Sequence, residues 1–427
     1  MNRVAHVATE RPLRIAYLLQ QFPLPTETFA VSDITALLDD GHEVVVYTVK
    51  RLRKHERDFL NRCPLPQKLF VNRPTWAGAV TWPALLWSYR KSTTALVRHI
   101  LKKAATSPLT ALQTLLCIPR ILEIANEIIG SNSDVAHAFW SRHVGLVLPV
   151  LRSEKAPALR SAFVGAYDLV ADDFLVDMTL EASEVIFSHA EVNRSYVERK
   201  APAGAATAIV RRGIPLAKVS EGSMRDPFRW ITASSLIAPK NVEGAIAAFA
   251  RARSSEPRLT LGIFGQGPDR ERLQGIARKL GCSKSVTFAG HVSREELFAE
   301  MQRASVFLLL SKGEWERLPN VLKEALWAGC SVISSSSEGI EELIPDDGIG
   351  QIVDPDDPQQ LASAIDLVLS RSEAQSAEVR NRARAHIAEN FSTERSMRRY
   401  VDEWRPMIDR SEFSRERGDL ERHTVNK

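Results

Sequence analysis

Apolar positions along this chain follow two rhythms, short unbroken or alternating runs and longer stretches with helical spacing. Segment 15–20 is a short apolar run, 29–39 has helical spacing closed by Gly41, and 44–48 is β-branched, which predicts a β-α-β unit. Apolar runs recur at 135–139 and 185–187, each followed by polar or helix-forming residues. After the Ala- and Pro-rich stretch APAGAATA, a second series begins with 230–232, 259–264, 286–288, 306–310 and 331–333, again separated by helical segments. Alternation of this kind predicts an α/β protein with two parallel sheets, each covered by helices on both faces.

Length agrees with that count. At 427 residues the chain exceeds what a single core supports, so two domains of roughly 200 residues are expected. Cys63, Cys117, Cys282 and Cys330 are scattered, without the close pairs of a zinc site or the density of a disulfide scaffold, which suits a reducing cytoplasm. The start MNRVAHVATERP has no apolar core of signal-peptide length, and no segment approaches the roughly 20 apolar residues that span a bilayer. The expectation is a protein neither secreted nor transmembrane.

Charge changes the picture more than composition does. The net charge is only +4, yet residues 51–120 hold thirteen Lys or Arg against Glu56 and Asp58, so this region carries +11 and the remainder −7. Within it lie Trp76, Trp82, Trp87 and Tyr89 among apolar residues, followed by Arg90, Lys91, Arg98, Lys102 and Lys103. Aromatics beside cations suit the boundary between anionic headgroups and acyl chains, which makes Trp82, Trp87, Arg90, Lys91, Lys102 and Lys103 candidate membrane residues. A core helix with a solvated basic face has the same composition. Nucleic acid is not expected as a partner, because no recognition module accompanies the cations.

The strongest chemical signal is Glu316-Arg317-Leu318-Pro319-Asn320-Val321-Leu322-Lys323-Glu324, which sets two carboxylates eight residues apart across a loop-to-helix junction. Pro319 fits the first helical position and Gly329 the residue past the helix end. The unpaired amides of the helix start then lie between the carboxylates and favour an anion, an arrangement suited to a phosphorylated sugar. A solvated helix start, where acidic residues are common anyway, is the alternative. Gly265-Gln266-Gly267-Pro268 follows an apolar strand and would let a nucleotide approach the backbone, or is simply a turn.

In these residues the chain resembles retaining glycosyltransferases of the GT-B fold, family-4 type. The match runs through Lys240-Asn241, Gly265-x-Gly267-Pro268, Val286-x-Phe288-x-Gly290, the Glu pair with Pro319, Asn320 and Glu324-Ala325, and Asp347-Gly348-x-x-Gly350. More loosely, Phe22-Pro23 with Thr26-Glu27-Thr28-Phe29 resembles the opening loop of bacterial exopolysaccharide and lipopolysaccharide enzymes of colanic-acid type. The resemblance implies two Rossmann-like domains facing a cleft, with 1–12 flexible, 13–207 on the acceptor side, 208–390 binding the nucleotide sugar, 391–405 a helix crossing back and 406–427 a charged tail. It implies Lys240 and Glu316 as catalytic residues, and Lys240, Gly265, Gly267, Glu316, Leu318, Pro319, Asn320 and Glu324 as donor-binding. Thr26, Glu27 and Thr28 would lie on the acceptor side, unless Thr26 only caps the helix that follows.

Two departures stand out. The family usually carries an Arg five residues before the Lys, where this chain has Ser235. Many relatives also place a His before a Gly where this chain reads Phe163-Val164-Gly165-Ala166-Tyr167-Asp168. Arg211, Arg212 or Arg317 are candidates for the missing cation, and His137, His143 and His189 read as structural. The resemblance thus implies transfer of a hexose-type sugar from a UDP- or GDP-linked donor to a lipid-linked saccharide, with retention and without a metal or other cofactor. The setting would be bacterial surface-polysaccharide synthesis, by an enzyme peripheral to the inner face of the plasma membrane. A catalytically silent sugar-nucleotide-binding subunit is the other reading.

Overall fold

The computed structural model describes residues 11–24, 28–52, 65–75, 78–165, 168–169, 174–220, 225–312 and 317–425, with side chains at all of these but 78–79 and 411–425. The expected N-terminal flexible segment lies mostly outside them, as do Thr26, Glu27, Cys63, Trp76 and Glu316. The chain forms two compact units: 1–189 with 193–210 and 396–427, and 190–192 with 211–395.

The first unit holds a seven-stranded sheet in the order β3-β2-β1-β4-β5-β6-β7, every neighbouring pair parallel. Its strands are β1 (Arg14–Leu19), β2 (Glu43–Thr48), β3 (Phe70–Asn72), β4 (Val135–Phe139), β5 (Leu159–Phe163), β6 (Val185–Ser188) and β7 (Ala206–Ile209). Successive side chains point to opposite faces, so Ile15, Tyr17 and Leu19 enter one core and Ala16 and Leu18 the other. The face floored by Ala16, Ala136, Ala138 and Ala162 has room for the helix Pro108–Gly130, which lays Ile118, Ile121, Leu122 and Ile128 against it. On the other face Tyr17, Phe139, Phe163 and Phe187 meet Met397, Tyr400, Val401, Trp404 and Ile408, and the Trp404 indole donates to Ser161 Oγ at 2.9 Å.

The second unit holds six parallel strands in the order β10-β9-β8-β11-β12-β13. They are β8 (Asp226–Ala233), β9 (Thr260–Phe264), β10 (Val286–Gly290), β11 (Ala304–Leu309), β12 (Ser331–Ser335) and β13 (Gln351–Val353). This is the doubly wound dinucleotide-type order.

Several expectations need correction. APAGAATA does not lie wholly between two series, because its end forms β7, the last strand of the first sheet, and the first unit continues to Val210. Strands β3, β5 and β13 escaped notice because each is short or, like Leu-Arg-Ser-Ala-Phe, broken by polar residues. The helix Thr393–Val425 continues past Arg405, and Ile408 packs in the first core, so helix and tail are not separate segments. Helix Pro108–Gly130 is, by length and composition, apolar enough to cross a membrane, contrary to the expectation that no segment is. Its Arg120 is nevertheless buried in protein, donating to Thr48 O at 3.1 Å and Asn72 Oδ1 at 2.6 Å.

Candidate functional site

Strand order in the second sheet reverses between β8 and β11, and open parallel sheets bind ligands beyond the carboxyl ends of strands at such a point. After β8 the chain makes the 3-10 turn Ala238–Lys240 and enters the helix Val242–Ser255. Asn241 takes the left-handed conformation (φ 45°) that Asn tolerates, accepts from Gly244 N at 3.2 Å and donates to Leu310 O at 2.9 Å. Lys312 N donates to Pro239 O at 2.8 Å. These bonds fasten the turn that carries Lys240 to the chain leaving β11.

The glycine turn after β9 sits beside it. A Cβ at Gly265 (φ +134°) would stand 1.9 Å from Ser234 O, and one at Gly267 would stand 2.2 Å from Leu236 O. Glycine is required here because two loops of the protein touch, a reason the sequence does not disclose.

Beyond β11, buried Leu318 is left-handed (φ 50°) and aims the chain into the helix Asn320–Ala328. Pro319 is the N-cap, extended at ψ 132°, rather than the first helical residue, and Gly329 ends the helix at φ 97°. The amides of Leu322 and Lys323 donate to Pro319 O at 3.1 and 3.3 Å. Buried Lys323 donates to Arg212 O at 2.8 Å and to Asn320 Oδ1 at 3.1 Å, so that Asn oxygen is engaged within the protein.

Glu324 lies on the second turn with its side chain 15% exposed. Its Oε1 receives Arg294 Nε at 2.8 Å and Nη2 at 2.7 Å, while Oε2 has no hydrogen bond among the described residues. Burial pushes this carboxyl above its ordinary value, against the opposing pull of Arg294. Arg294 escaped the sequence reading because it stands thirty residues away; its sole local mark is the capping box Ser293–Glu296 that begins its helix. Of the candidate replacements for the missing cation, Arg211 pairs with Glu342 at 2.7 Å and Arg317 with Glu338, while Arg212 is buried.

In the first unit the order reverses between β1 and β4. Thr28 opens the helix Thr28–Asp39 after β1. Just past β4, Trp140 holds φ 69°, a conformation that costs a bulky residue of order 1–3 kcal/mol and tends to mark functional edges. Its ring lies over Gly165, where a Cβ would meet it at 2.2 Å. Buried Asp168 accepts from Ser141 N at 3.2 Å and Gly165 N at 3.0 Å, binding the two strand ends together. The sequence reading passed over Trp140. His137 and His143 are buried, the former 3.0 Å from Ser161 Oγ and the latter 3.1 Å from Thr114 Oγ1, so both serve the core.

The basic region forms a helical ledge of Trp82–Ser88, Arg90–Lys103 and the start of Pro108–Gly130. Trp82 belongs inside it: the ring is half-buried and its indole donates to Glu123 at 3.4 Å, on a different side of its helix from Trp87, which is five residues on. Trp87 is 74% exposed with the Arg90 guanidinium 5.6 Å above its ring, and Leu101, Leu109, Leu112 and Leu116 are exposed as well. Leu109, Leu112 and Leu116 fall at helical spacing on one stripe, opposite the residues that face the core. Arg90, Lys91, Arg98, Lys102 and Lys103 are exposed around them.

Residues 217–386, most of the second unit, match the family described as glycosyl transferases group 1. Glycogen synthase of Mycobacterium tuberculosis is 30% identical over 214 residues, 49% of this chain and 51% of that protein, so the chain spans about half the length of this relative. A Salmonella typhimurium protein with the provisional name colanic acid biosynthesis glycosyltransferase WcaL is 25% identical over 415 residues, covering 89% of this chain and 96% of that one. Among solved structures, HepE of Anabaena in complex with UDP superposes with a TM-score of 0.64 at 16% identity, covering 91% of this chain and 99% of that one; it has also been solved with UDP-glucose. The fold is GT-B, with two Rossmann-like units.

Proposed function

We propose that this protein is a retaining glycosyltransferase that moves a hexose-type sugar from a nucleotide-diphospho sugar to a lipid-linked saccharide in bacterial surface-polysaccharide synthesis. The observation that carries the reading is the convergence, at the switch point of the second sheet, of the Lys240 turn, the glycine turn and the helix start before Glu324, within the segment matched to group 1 glycosyl transferases. Breaking the donor's anomeric bond develops negative charge on the departing diphosphate, so catalysis is chiefly electrostatic stabilisation of that group. Lys240 and the amides at the start of the helix Asn320–Ala328 supply it. Glu324 accepts the ribose hydroxyls through its open Oε2, steadied by Arg294, and Glu316 lies against the sugar. No metal enters this scheme.

The experiment is incubation of the protein with bacterial membrane lipids and UDP- or GDP-sugars, following nucleotide release and then the anomeric configuration of the product by NMR. An inverted product would refute retention. Nucleotide binding with no release across a broad lipid and sugar panel would favour the other reading, a silent binding subunit, to which Ser235 and the missing His give some support. The exposed apolar ledge with its ring of cations favours an anionic membrane surface, and hence a lipid-linked acceptor, on the cytoplasmic side.

A further inference from the structure

The second sheet has an opposite end. A cavity of about 810 Å³ opens there, lined by Pro227, Ser305 and Ser331 from the starts of β8, β11 and β12. Lys240, Gly265 and Asn320 all lie past the carboxyl ends of strands in the same parallel sheet. The eight residues of β8 alone span roughly 25 Å, at about 3.3 Å per residue, so the two places are separate.

Four arginines face this cavity: Arg225, Arg371, Arg380 and Arg384. Two of them also serve helix ends. Arg225 donates to Ala328 O at 2.9 Å, Met301 O at 3.3 Å and Ala304 O, and Arg384 donates to Trp327 O at 3.1 Å and Ala328 O at 2.9 Å. Carbonyls orphaned at helix ends draw the cations in. The result is a convergence over Gly329, where a Cβ would lie 2.9 Å from Arg384 Nη2, 3.0 Å from Arg225 Nη2 and 3.2 Å from Arg380 Cδ. Burial, then the nearby Arg225 and Arg380, hold the Arg384 guanidinium below its ordinary value.

Helix capping does not account for the whole cluster. Arg380 donates to no carbonyl at a helix end; its hydrogen-bond partner among the described residues is Glu373, at 2.7 Å, whose side chain is 83% exposed. The other carboxylate of the lining, Glu256, is held by Arg258 at 2.7 and 2.8 Å. The three guanidiniums of Arg225, Arg380 and Arg384 gathered over Gly329 repel, and neither lining carboxylate bonds Arg225 or Arg384. A multiply charged anion would relieve that repulsion and match the forked donors, and Ser220 and Ser376 stand in the wall for its hydroxyls or remaining oxygens.

We propose that this cavity is a binding site for a small phosphorylated molecule, separate from the nucleotide-sugar residues at the other end of the sheet. Pyrophosphate is the probe. Calorimetric titration of the full chain at low salt should resolve two classes of site. Arg380→Gln, which leaves the carbonyl bonds of Arg225 and Arg384 in place, should weaken one class by at least about tenfold, the loss of one charge-assisted hydrogen bond. Lys240→Gln should weaken the other class. Glu373→Gln removes the competing carboxylate and should tighten the Arg380 class about threefold, an effect in the opposite direction that damage to the fold would not produce. The proposal is overturned if the wild-type chain shows no pyrophosphate binding beyond what Lys240→Gln abolishes, or if Arg380→Gln binds as the wild type does. Its failure would leave the transferase reading untouched, since UDP binding and nucleotide release are measured separately.

Discussion

At the scale of single residues, Glu324 and Lys240 make opposite predictions. Glu324 carries one oxygen held by Arg294 and one open, so its removal takes away a ground-state hydrogen bond from a charged group. Glu324→Ala should weaken nucleotide affinity by about 1.5–3 kcal/mol, and calorimetry showing unchanged affinity in a folded variant would sink the assignment. Lys240→Ala should lose turnover more than binding, because the charge it meets grows in the transition state. Equal losses would mark Lys240 as a simple binding group. His143 offers a test of the core. Burial first, then Lys50 and Arg142, hold its imidazole down to about 4, while in the unfolded chain it titrates near 6.5. Between those values only the unfolded chain takes up the proton. Stability is therefore untouched above the unfolded value and falls as pH drops from about 6.5 toward 4, by up to roughly 3 kcal/mol. His143→Gln should flatten that acid limb in urea unfolding; parallel limbs for variant and wild type would mean another group titrates.

At the scale of elements, the ledge of Trp82–Ser88, Arg90–Lys103 and the start of Pro108–Gly130 separates two contributions to membrane binding. Each exposed Lys or Arg contributes on the order of 1 kcal/mol near an anionic bilayer, and salt screens it. Apolar insertion is not screened. Replacing Arg90, Lys91, Lys102 and Lys103 by Gln should abolish most vesicle binding at low salt, whereas Trp87→Ala with Leu112→Ser and Leu116→Ser should remove what persists at high salt. Trp82→Ala should not act through the lipid, because that ring packs against its own neighbours and bonds Glu123. Co-sedimentation with anionic vesicles decides it: a wild-type protein that stays in the supernatant at low salt has no such surface. The helix Pro108–Gly130 also shows why hydropathy misleads here. It is apolar on two sides, one facing the core and one facing outward, so its composition approaches that of a membrane span while Arg120 stays buried in protein.

At the scale of the whole molecule, ligand binding should register as stability. A nucleotide present at a hundred times its dissociation constant stabilises the state that binds it by about 2.7 kcal/mol. For a unit of this size that is a rise in melting temperature of about 5–10 °C. A thermal-shift panel of UDP- and GDP-linked sugars should single out one base and one sugar; a flat response to all of them would argue against the nucleotide site. Most of the architecture was legible beforehand, because runs such as 135–139 and 230–232 carry the period of buried parallel strands and the intervening segments that of helices. Strands β3 and β13 were not, since three residues are too few to establish a period, and β7 was hidden in a stretch that reads as linker. Lys240, the glycine turn and Glu324 stood out through a resemblance to a known family rather than through period, since they lie 25 to 84 residues apart along the chain. Arg294 on Glu324, Trp140 over Gly165 and the arginines gathered at Gly329 did not, and neither did the inward turn of Trp82. Period is a property of neighbours along the chain, so the sequence alone determined two α/β units and most of their strands. Which charges meet, which glycines are required and which apolar side chains are left outside depend on contacts between residues far apart in sequence, and only the packed tertiary structure decided those.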